Sequence, residues 1–396
     1  MDMPWEEKTV EMSRREFIEK VISKEESMSE LCRQYCITRK TGYKWLERFK
    51  LGESLTNQSR RPFHTPNKTA DDIEQAIIKA REVHPAWGPR KLKKYVETKD
   101  EIILPAHSTI ADILKRNGKI EIAESLAHIP YKRFQKDSPN QLWQADFKGD
   151  FALANSERCF PLTVLDDHSR YSLCMDAKEN QKGLGVFSSF DRLFNEFGLP
   201  DTILTDNGNP WGVSQRTGYT KFEIWLMELD ILPIHGRPLH PQTQGKEERF
   251  HRTMKAELLK RTLLNDMSHA QQKFDLWRHE YNYERPHEAL GLDVPANHYS
   301  QSKRKIEKVV PELEYYASKN SRRVNEKGYF CYQNHMYFLG EAFAGKYIEV
   351  SDSSKNQHIN VNFRGFRLAK INLDEQLFVS KKIFRLDTSR TKLIEI

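Results

Sequence analysis

The spacing of apolar and polar positions changes along the chain, and these changes predict where helices and strands lie. From about residue 8 to 50, and again from 70 to about 118, apolar residues recur at helical spacing. Between residues 138 and 300, short apolar runs typical of strands are interleaved with helical stretches, which predicts an α/β domain. Beyond residue 326, apolar and polar residues alternate between Gly and Asp, which predicts a small antiparallel β-barrel.

Polar and basic stretches without periodicity separate these parts, and a chain of 396 residues is long enough for several domains. We therefore expect a multidomain protein with all-α units first, then an α/β core and a β-barrel. The predicted segments are a helix-turn-helix domain over 1–52, a basic linker over 53–69, a second helical domain over 70–120, a connector over 121–137, the α/β core over 138–300, a basic tether over 301–325 and the β-barrel over 326–396.

Residues 27–49 predict two short helices joined by a tight turn, an arrangement that can present the second helix to DNA. Cys36 occupies the turn position where glycine is common because φ is positive there. The polar residues near the start of the second helix that could contact DNA are Arg39, Lys40, Thr41 and Lys44. The alternative is a helical hairpin whose charged face contacts only solvent.

Two further basic stretches are candidates for DNA contact. Arg60 and Arg61 precede Pro62 in the linker, where a basic arm could lie in a minor groove. A solvated linker explains the same residues equally well. The sequence WGPRKLKKYV over 87–96 is basic and helical after its proline, so the second helical domain is another candidate for DNA binding.

Composition narrows the class of protein without naming a partner. The chain has 63 Lys and Arg against 56 Asp and Glu, a formal net charge of +7 and a pI near 8.9, which favours a polyanionic partner. Its five cysteines are scattered without a CxxC pair, which favours a reduced, intracellular protein. The N-terminus lacks the apolar stretch of a signal peptide, and no run of about 18 apolar residues occurs, so we expect no membrane-spanning segment.

Three acids stand at element boundaries: Asp146, Asp206 at the end of an apolar run, and Glu248. An ionised carboxylate beside apolar residues is unfavourable unless a cation compensates it. Mg²⁺ prefers oxygen ligands, and two such ions can act together in phosphoryl transfer. For any one acid taken alone, a helix cap, a turn or a solvated position is the alternative.

The surroundings of these acids favour the metal interpretation. Five motifs follow one another: WQAD ending at Asp146, LTVLDDHSRY over 162–171, ILTDNG over 203–208, HPQTQGKEERFHRTMKAEL over 240–258 and YNYERPHEAL over 281–290. In content and order they resemble the integrase-core (DDE) transposases of bacterial insertion sequences, relatives of retroviral integrases. The N-terminal LCRQYCITRKTGYKW and the following SRRP are similar to the helix-turn-helix and linker of that group. The C-terminal part is similar only in general character.

This resemblance implies a ribonuclease H-like core, in which helices flank a mixed five-stranded sheet. It implies that Asp146, Asp206 and Glu248 are the catalytic acids and hold two Mg²⁺ ions, which Mn²⁺ can replace. Two departures affect Glu248. The interval from Asp206 to Glu248 is longer than usual, with apparent extra residues over 209–222, and Glu247 stands where the family usually has an apolar residue. We select Glu248 because it directly precedes RFH.

Arg252 and Lys255 share one helical face with Glu248, where they could contact the phosphates of DNA. For Arg252 the alternative is an ordinary pair with Glu248 along the helix. The matching family position of Lys255 carries a basic residue that contacts the element end. The preceding segment is expected to be a mobile loop near the site that offers side chains for hydrogen bonds, or else a passive connector. Its polar residues are His240, Gln242 and Gln244.

The resemblance implies a transposase that cleaves 3′ ends and transfers them into target DNA. Its partners would be double-stranded DNA, both terminal repeats and target, and further copies of the same chain in a dimer or larger assembly. We expect it in the bacterial cytoplasm, associated with the nucleoid. Two alternatives remain: a catalytically silent or domesticated DNA-binding regulator, and a metal-dependent nuclease that does not join.

Overall fold

The structure is a computed structural model of the chain. It describes residues 9–58, 68–120, 135–208, 210–211, 218–236, 245–306, 320–353, 357–375, 377–380 and 383–386. The chain forms two compact units, Met1–Lys68 and Thr69–Ile396. Within the described ranges, no helix is long and apolar enough to cross a membrane.

The described residues of the first unit, 9–58 and 68, form three helices and confirm the predicted helix-turn-helix. A hydrogen-bonded capping box of Ser27 and Glu30 starts the second helix. Cys36 adopts the expected positive φ, +54°, in the turn before the third helix. The helices are α1 Val10–Ser23, α2 Met28–Gln34 and α3 Arg39–Lys50. The buried side chains between them are Phe17, Ile18, Leu31, Cys32, Trp45 and Leu55.

Three more helices begin the second unit, in agreement with the second predicted helical domain. They are α4 Asp71–Val83, α5 Pro89–Asp100 and α6 His107–Arg116. Pro89 starts α5, where its fixed φ suits the first helical turn and its missing N–H is not needed. Trp87, Leu92 and Ile110 are among the side chains fully buried in the small core that these helices share.

A mixed sheet forms the centre of the second unit. Its strands are β1 Trp143–Phe147, β2 Phe151–Ala152, β3 Arg158–Asp166, β4 Ser172–Lys178, β5 Thr202–Thr205 and β6 Leu232–His235. Five of them run in the order β4-β3-β1-β5-β6, while β2 is a short addition that pairs with β3. Strand β1 is antiparallel to β3 and parallel to β5. The predicted mixed five-stranded sheet is therefore present, with β2 as an extra element.

Helices cover the sheet on both faces. They are α7 Gly183–Phe197, α8 Lys221–Glu228, α9 Gly245–Met254 and α10 Met267–Tyr283. Helices α7 and α8 pack over one hydrophobic core, and α9 and α10 pack over another. Helix α9 continues into a π-helical turn, Lys255–Leu259. Short 3-10 turns at Glu288–Leu290 and Pro295–His298 follow α10.

The C-terminal part is antiparallel, as expected, but its described strands form an open sheet rather than the predicted barrel. The strands are β7 Ser321–Arg323, β8 Tyr329–Tyr332, β9 His335–Phe338, β10 Tyr347–Asp352, β11 His358–Phe363, β12 Phe366–Asn372, β13 Leu377–Ser380 and β14 Phe384–Arg385. The main sheet has the order β13-β12-β11-β10-β7, with β14 on β12, and β8 and β9 form a separate hairpin. Among the described residues no pairing joins β7 to β13, so the sheet stays open.

The open sheet buries its apolar face against the α/β core. Ile224 and Met227 of α8 and Leu232 of β6 belong to the same hydrophobic cluster as the C-terminal strands. The hydroxyl of Tyr219 donates a hydrogen bond to the carbonyl of Leu368 on β12. Because neighbouring elements of the core cover this face, the sheet does not need to close on itself to be shielded from water.

Residues 301–306, which the sequence places in a basic tether, are anchored to the α/β core. The Ser302 hydroxyl donates to the carbonyl of Leu199 at 2.7 Å, and Arg304 donates to the carbonyl of Pro200 at 2.7 Å. The rest of that tether, residues 307–319, lies outside the described residues, as do residues 121–134 of the predicted connector.

Candidate active site

Asp146 and Asp206 lie next to each other at one end of the sheet. Strands β1 and β5 are parallel, and Trp143 is paired with Ile203, so the positions three residues further along are Asp146 and Asp206. Side chains alternate along a strand. Trp143 and its odd-numbered neighbours enter the core under α7, so Asp146 points to the opposite face, where α9 lies.

The two carboxylates interact electrostatically. Burial, followed by the negative charge of nearby Asp206, raises the pKa of Asp146 to about 7. A cation bound beside such a carboxylate would stabilise its ionised form. This pair therefore has the properties of a cation site.

Gly208 fixes the orientation of Asp206. Its backbone N–H donates to Asp206 Oδ1 at 3.0 Å. A Cβ at position 208 would lie 3.1 Å from Asp206 Oδ2, which is closer than ordinary van der Waals contact. The glycine of the ILTDNG motif thus lets the loop fold closely over the carboxylate.

Helix α9 brings a third acid to this pair, and that acid is Glu247. Its side chain is fully buried, and Oε2 accepts a hydrogen bond from the hydroxyl of Thr163, the cross-strand partner of Asp146. Burial, followed by the charge of Asp146, raises the pKa of Glu247 well above its usual value. The other oxygen, Oε1, has no hydrogen-bond partner among the described residues.

Glu248, the acid selected from the sequence, occupies the same helical turn on the outer side. It is exposed and makes no hydrogen bond or ion pair with another described residue. Arg252 and Lys255 are also exposed further along the helix, as the sequence predicts. The structure thus places Asp146 near Asp206 and near Glu247, and it leaves Glu248 on the solvent side.

His251 joins these acids and was not singled out from the sequence. Its Nε2 lies 2.8 Å from Thr163 Oγ1, and its Nδ1 lies 3.9 Å from Asp146 Oδ2. Burial, followed by the charge of Lys148, lowers the pKa of His251 to about 3. The ring is neutral at physiological pH, so its approaches to Asp146 and Glu247 are polar contacts rather than ion pairs. His251 follows Glu247 by four residues, so the two share one face of a helix, and this spacing could have identified His251 from the sequence.

Lys148 is a second residue that the sequence did not reveal. Burial, followed by the positive charge of Lys255, lowers the pKa of the Lys148 amine. The two amines are therefore close enough to repel one another. Two neighbouring cations form a surface suited to a phosphate group.

Asp166 and Asp167, where β3 ends and the turn to β4 begins, have structural roles. Asp166 accepts hydrogen bonds from the backbone N–H groups of Asn140 and Ser169, each at 2.8 Å. Asp167 forms an ion pair with Lys246. This ion pair connects the first turn of α9 to the hairpin, which fixes the start of the helix that carries Glu247 and Glu248.

Within the described part of the chain, no three His, Cys, Asp or Glu residues already converge at the spacing of a metal site. The acids nevertheless fit a hard divalent cation, because they supply carboxylate oxygens and include the unpartnered Oε1 of Glu247. The segment before α9, with His240, Gln242 and Gln244, lies outside the described residues.

The predicted DNA contacts at the other end of the chain lie on α3. Arg39, Lys40 and Lys44 are exposed, and Thr41 is half-buried with its backbone N–H donating to Thr38 Oγ1 at 3.2 Å. Arg60 and Arg61 lie outside the described residues.

Comparison with known proteins identifies the same regions. Two family profiles described as an integrase core domain match residues 136–241 and 229–295. A helix-turn-helix domain profile matches residues 13–63, and a homeodomain-like domain profile matches residues 41–114.

Two relatives belong to insertion elements. The chain is 26% identical over 249 residues to an uncharacterised 39.2 kDa protein of IS476 from Xanthomonas euvesicatoria, covering 61% of this chain and 68% of that protein. It is 27% identical over 256 residues to an uncharacterised 31.7 kDa protein of IS407 from Burkholderia multivorans, covering 61% and 87%. Among solved structures, the HTLV-2 integrase catalytic core domain in complex with magnesium has 17% identity and a TM-score of 0.32, covering 42% of this chain and all of that one.

Proposed function

Because the chain belongs to the integrase-core family that insertion-element proteins and retroviral integrases share, we propose that it is a DNA transposase. It would cleave the 3′ ends of its element and transfer them into target DNA. The observation that carries this proposal is the pair Asp146 and Asp206, side by side at the ends of parallel strands with the acids of α9 beside them.

We propose that Asp146, Asp206 and Glu248 hold two Mg²⁺ ions, and that Mn²⁺ can replace them. When bound, two such ions activate the attacking oxygen and stabilise the leaving oxygen of an in-line displacement. The raised pKa of Asp146 supports this proposal, since a cation would stabilise its ionised form.

Glu248 is proposed as the third ligand because its exposed side chain can reach a cation shared with DNA. Glu247 is fully buried, and one of its oxygens already accepts a hydrogen bond from Thr163. We propose that Glu247 is a buried fourth acid with a structural role, which holds α9 against β3 through its hydrogen bond with Thr163.

The reaction needs no covalent protein intermediate. In the first step, a water oxygen bonds to the phosphorus at the element end, and the bond to the 3′ oxygen breaks, which frees a 3′-hydroxyl. In the second step, that hydroxyl bonds to a target phosphorus and releases the target's own 3′ oxygen. Lys148 and Lys255 would bind the negatively charged phosphates beside the acids, and Arg252 would contact the backbone further along the helix.

We propose that α3 reads the element ends in the major groove through Arg39, Lys40, Thr41 and Lys44. Arg60 and Arg61 would add contacts that weaken as salt increases. Since two element ends must be brought together, we also propose a homo-oligomer on DNA, at least a dimer.

One assay separates this function from its alternatives. Purified full-length chain is incubated with DNA of the element ends, target DNA and Mg²⁺, and cleaved and joined products are resolved on a gel. The proposal predicts both products, and Asp146→Asn and Asp206→Asn should each remove both while leaving end binding intact. Binding without cleavage in Mg²⁺ or Mn²⁺ would support a DNA-binding regulator. Cleavage without joining would support a nuclease.

A further inference from the structure

The backbone of Asp206 contacts the side chain of a histidine on β6, the edge strand of the sheet. His235, the last residue of β6, lies with its Nδ1 2.9 Å from the backbone carbonyl oxygen of Asp206. Its Nε2 lies 3.0 Å from Glu223 Oε1 on α8. The Thr205 hydroxyl also lies 3.0 Å from Nδ1, so the two ring nitrogens join α8 to the end of β5.

Glu223 is itself fixed in place. Its side chain is 7% exposed, and Oε2 accepts hydrogen bonds from the backbone N–H and the hydroxyl of Thr220 at the start of α8. One carboxylate oxygen therefore caps the helix while the other faces His235. A carboxylate held at both oxygens has little freedom to turn, so it keeps the ring in one orientation.

The same two strands are joined by further hydrogen bonds around Asp206. Gly236 donates its N–H to the carbonyl of Thr205 at 2.9 Å, and the Asn207 side chain donates to the carbonyl of Gly236 at 2.8 Å. These bonds fix the backbone of β5 on both sides of Asp206. Two side chains reach the Asp206 carbonyl oxygen: His235 through Nδ1 at 2.9 Å, and Thr205, whose hydroxyl donates at 3.2 Å.

We propose that Glu223 and His235 form a positioning pair that holds Asp206 in the orientation needed to bind the cation beside Asp146. This inference rests on the proposed function, because the pair can act as a positioning pair only if Asp206 is a metal ligand. Groups that orient a ligand without touching the metal commonly change metal affinity or activity by about 10–100-fold when they are removed.

Two variants of His235 separate positioning from folding. His235→Asn places an amide N–H near the position of Nδ1, so it can still donate to the Asp206 carbonyl. His235→Gln places its amide near the position of Nε2, so it can reach Glu223 but not Asp206. Both variants remove the ring from the same half-buried site, and their effects on stability should therefore be similar.

The test measures Mn²⁺ binding to the full-length protein by electron paramagnetic resonance, together with the thermal midpoint and the dependence of cleavage on Mg²⁺ concentration. We expect His235→Asn to bind Mn²⁺ within about threefold of wild type and His235→Gln to bind about 10–100-fold more weakly. His235→Gln should also need more Mg²⁺ for half-maximal cleavage. Glu223→Gln, which keeps an acceptor for Thr220, should fall between these two variants.

Asp146→Asn provides the control, since binding at this site should disappear in that variant. Equal Mn²⁺ binding by wild type, His235→Asn and His235→Gln would overturn the positioning pair and leave the proposed function intact. Equal losses in both His235 variants, matched by equal falls in the thermal midpoint, would show a structural role and also overturn it. Failure of the wild-type protein to bind Mn²⁺, or equal binding by Asp146→Asn, would overturn the proposed metal site itself.

Discussion

Glu247 and Glu248 are adjacent in sequence but occupy different surroundings in the first turn of α9. Glu247 is fully buried against Thr163, and Glu248 is exposed. A ligand that binds a cation together with DNA must be reachable from the DNA side. Burial raises the pKa of Glu247 and disfavours its charged form, which instead suits a structural group bonded to Thr163.

We therefore predict that Glu248→Gln reduces cleavage by about a thousandfold, the loss expected when about 4 kcal/mol of metal-assisted stabilisation is removed. Glu247→Gln should reduce cleavage by less than about tenfold, because it keeps the hydrogen bond with Thr163 and adds no new charge. Single-turnover cleavage rates of the two variants provide the comparison. Loss of activity in Glu247→Gln, with activity retained in Glu248→Gln, would make Glu247 the ligand.

Gly208 provides a second prediction at this scale. An added Cβ would lie 3.1 Å from Asp206 Oδ2, so Gly208→Ala should displace that carboxylate by a few tenths of an ångström. We expect cleavage to fall by about tenfold with little change in the thermal midpoint, since small misplacements at a reacting site are costly. Gly183→Ala is the matched control, because its Cβ would meet only Phe187 at 3.9 Å, an ordinary contact. Equal activity in the two variants would contradict the account.

The sequence singled out Asp146 and Asp206, because each acid lies at an apolar strand pattern inside a recognisable motif, and the structure places the two side by side. It did not identify His251 or Lys148, since their roles depend on helix α9 crossing β1 and β3. The sequence shows that Glu247 and Glu248 are adjacent, but it does not show which of them points inward. The rotation of α9 decides that, and tertiary packing sets it.

Among the elements, the π-helical turn after α9 is held by a buried ion pair. Arg285, which follows α10, lies 2.9 Å from Glu257 in that turn, and each side chain is 8% exposed. Half-buried Lys91 of α5 is close to both, and burial together with the charge of Arg285 lowers its pKa to about 8. Glu257 is therefore the acid that faces two cations where α5, α9 and α10 meet.

Glu257→Gln should consequently destabilise the protein by about 3–5 kcal/mol, because it leaves Arg285 without its partner in a buried position and near Lys91. Urea denaturation measures this change. Glu82→Gln serves as the control, since its partner Lys119 and Glu82 itself are both substantially exposed and such pairs contribute about 1 kcal/mol or less. If Glu257→Gln lowers the free energy of unfolding no more than Glu82→Gln does, the ion pair of Glu257 and Arg285 does not stabilise the fold.

The elements themselves were largely predictable. The tight turn at Cys36 and the interleaved strands and helices follow from local residue patterns. The capping box of Thr220 and Glu223 also has a sequence signature, a threonine followed three residues later by a glutamate. The second contact of Glu223, with His235, could not be predicted, because the two residues meet only after β6 pairs with β5.

For the whole molecule, the C-terminal sheet and the α/β core share one hydrophobic cluster. Phe343 is fully buried and contacts Tyr219, which precedes α8. The same cluster includes residues of α8 and β6, the elements that carry Glu223 and His235. The prediction that the C-terminal strands close into a barrel was wrong. Alternating apolar and polar residues indicate strands with one buried face, but they do not show which part of the protein covers that face.

We predict that the two compact units unfold separately. Phe343→Ala should lower the melting temperature of the larger unit, since emptying a buried aromatic site costs about 3–5 kcal/mol. Phe17→Ala should lower the melting temperature of Met1–Lys68 in the same way and leave the larger unit unchanged. Scanning calorimetry of the full chain resolves the two transitions. One transition that both variants shift equally would contradict this division.

The activity that we propose for this chain is metal-dependent cleavage and joining of DNA by the acids at Asp146. The most direct measurement is the yield of cleaved and joined DNA from wild-type protein and from Asp146→Asn, with element-end DNA and Mg²⁺. We expect both products from the wild-type protein, neither from the variant, and equal binding of end DNA by the two. Equal product yields from wild type and variant, or DNA binding by the wild-type protein with no products at all, would rule out the proposed activity.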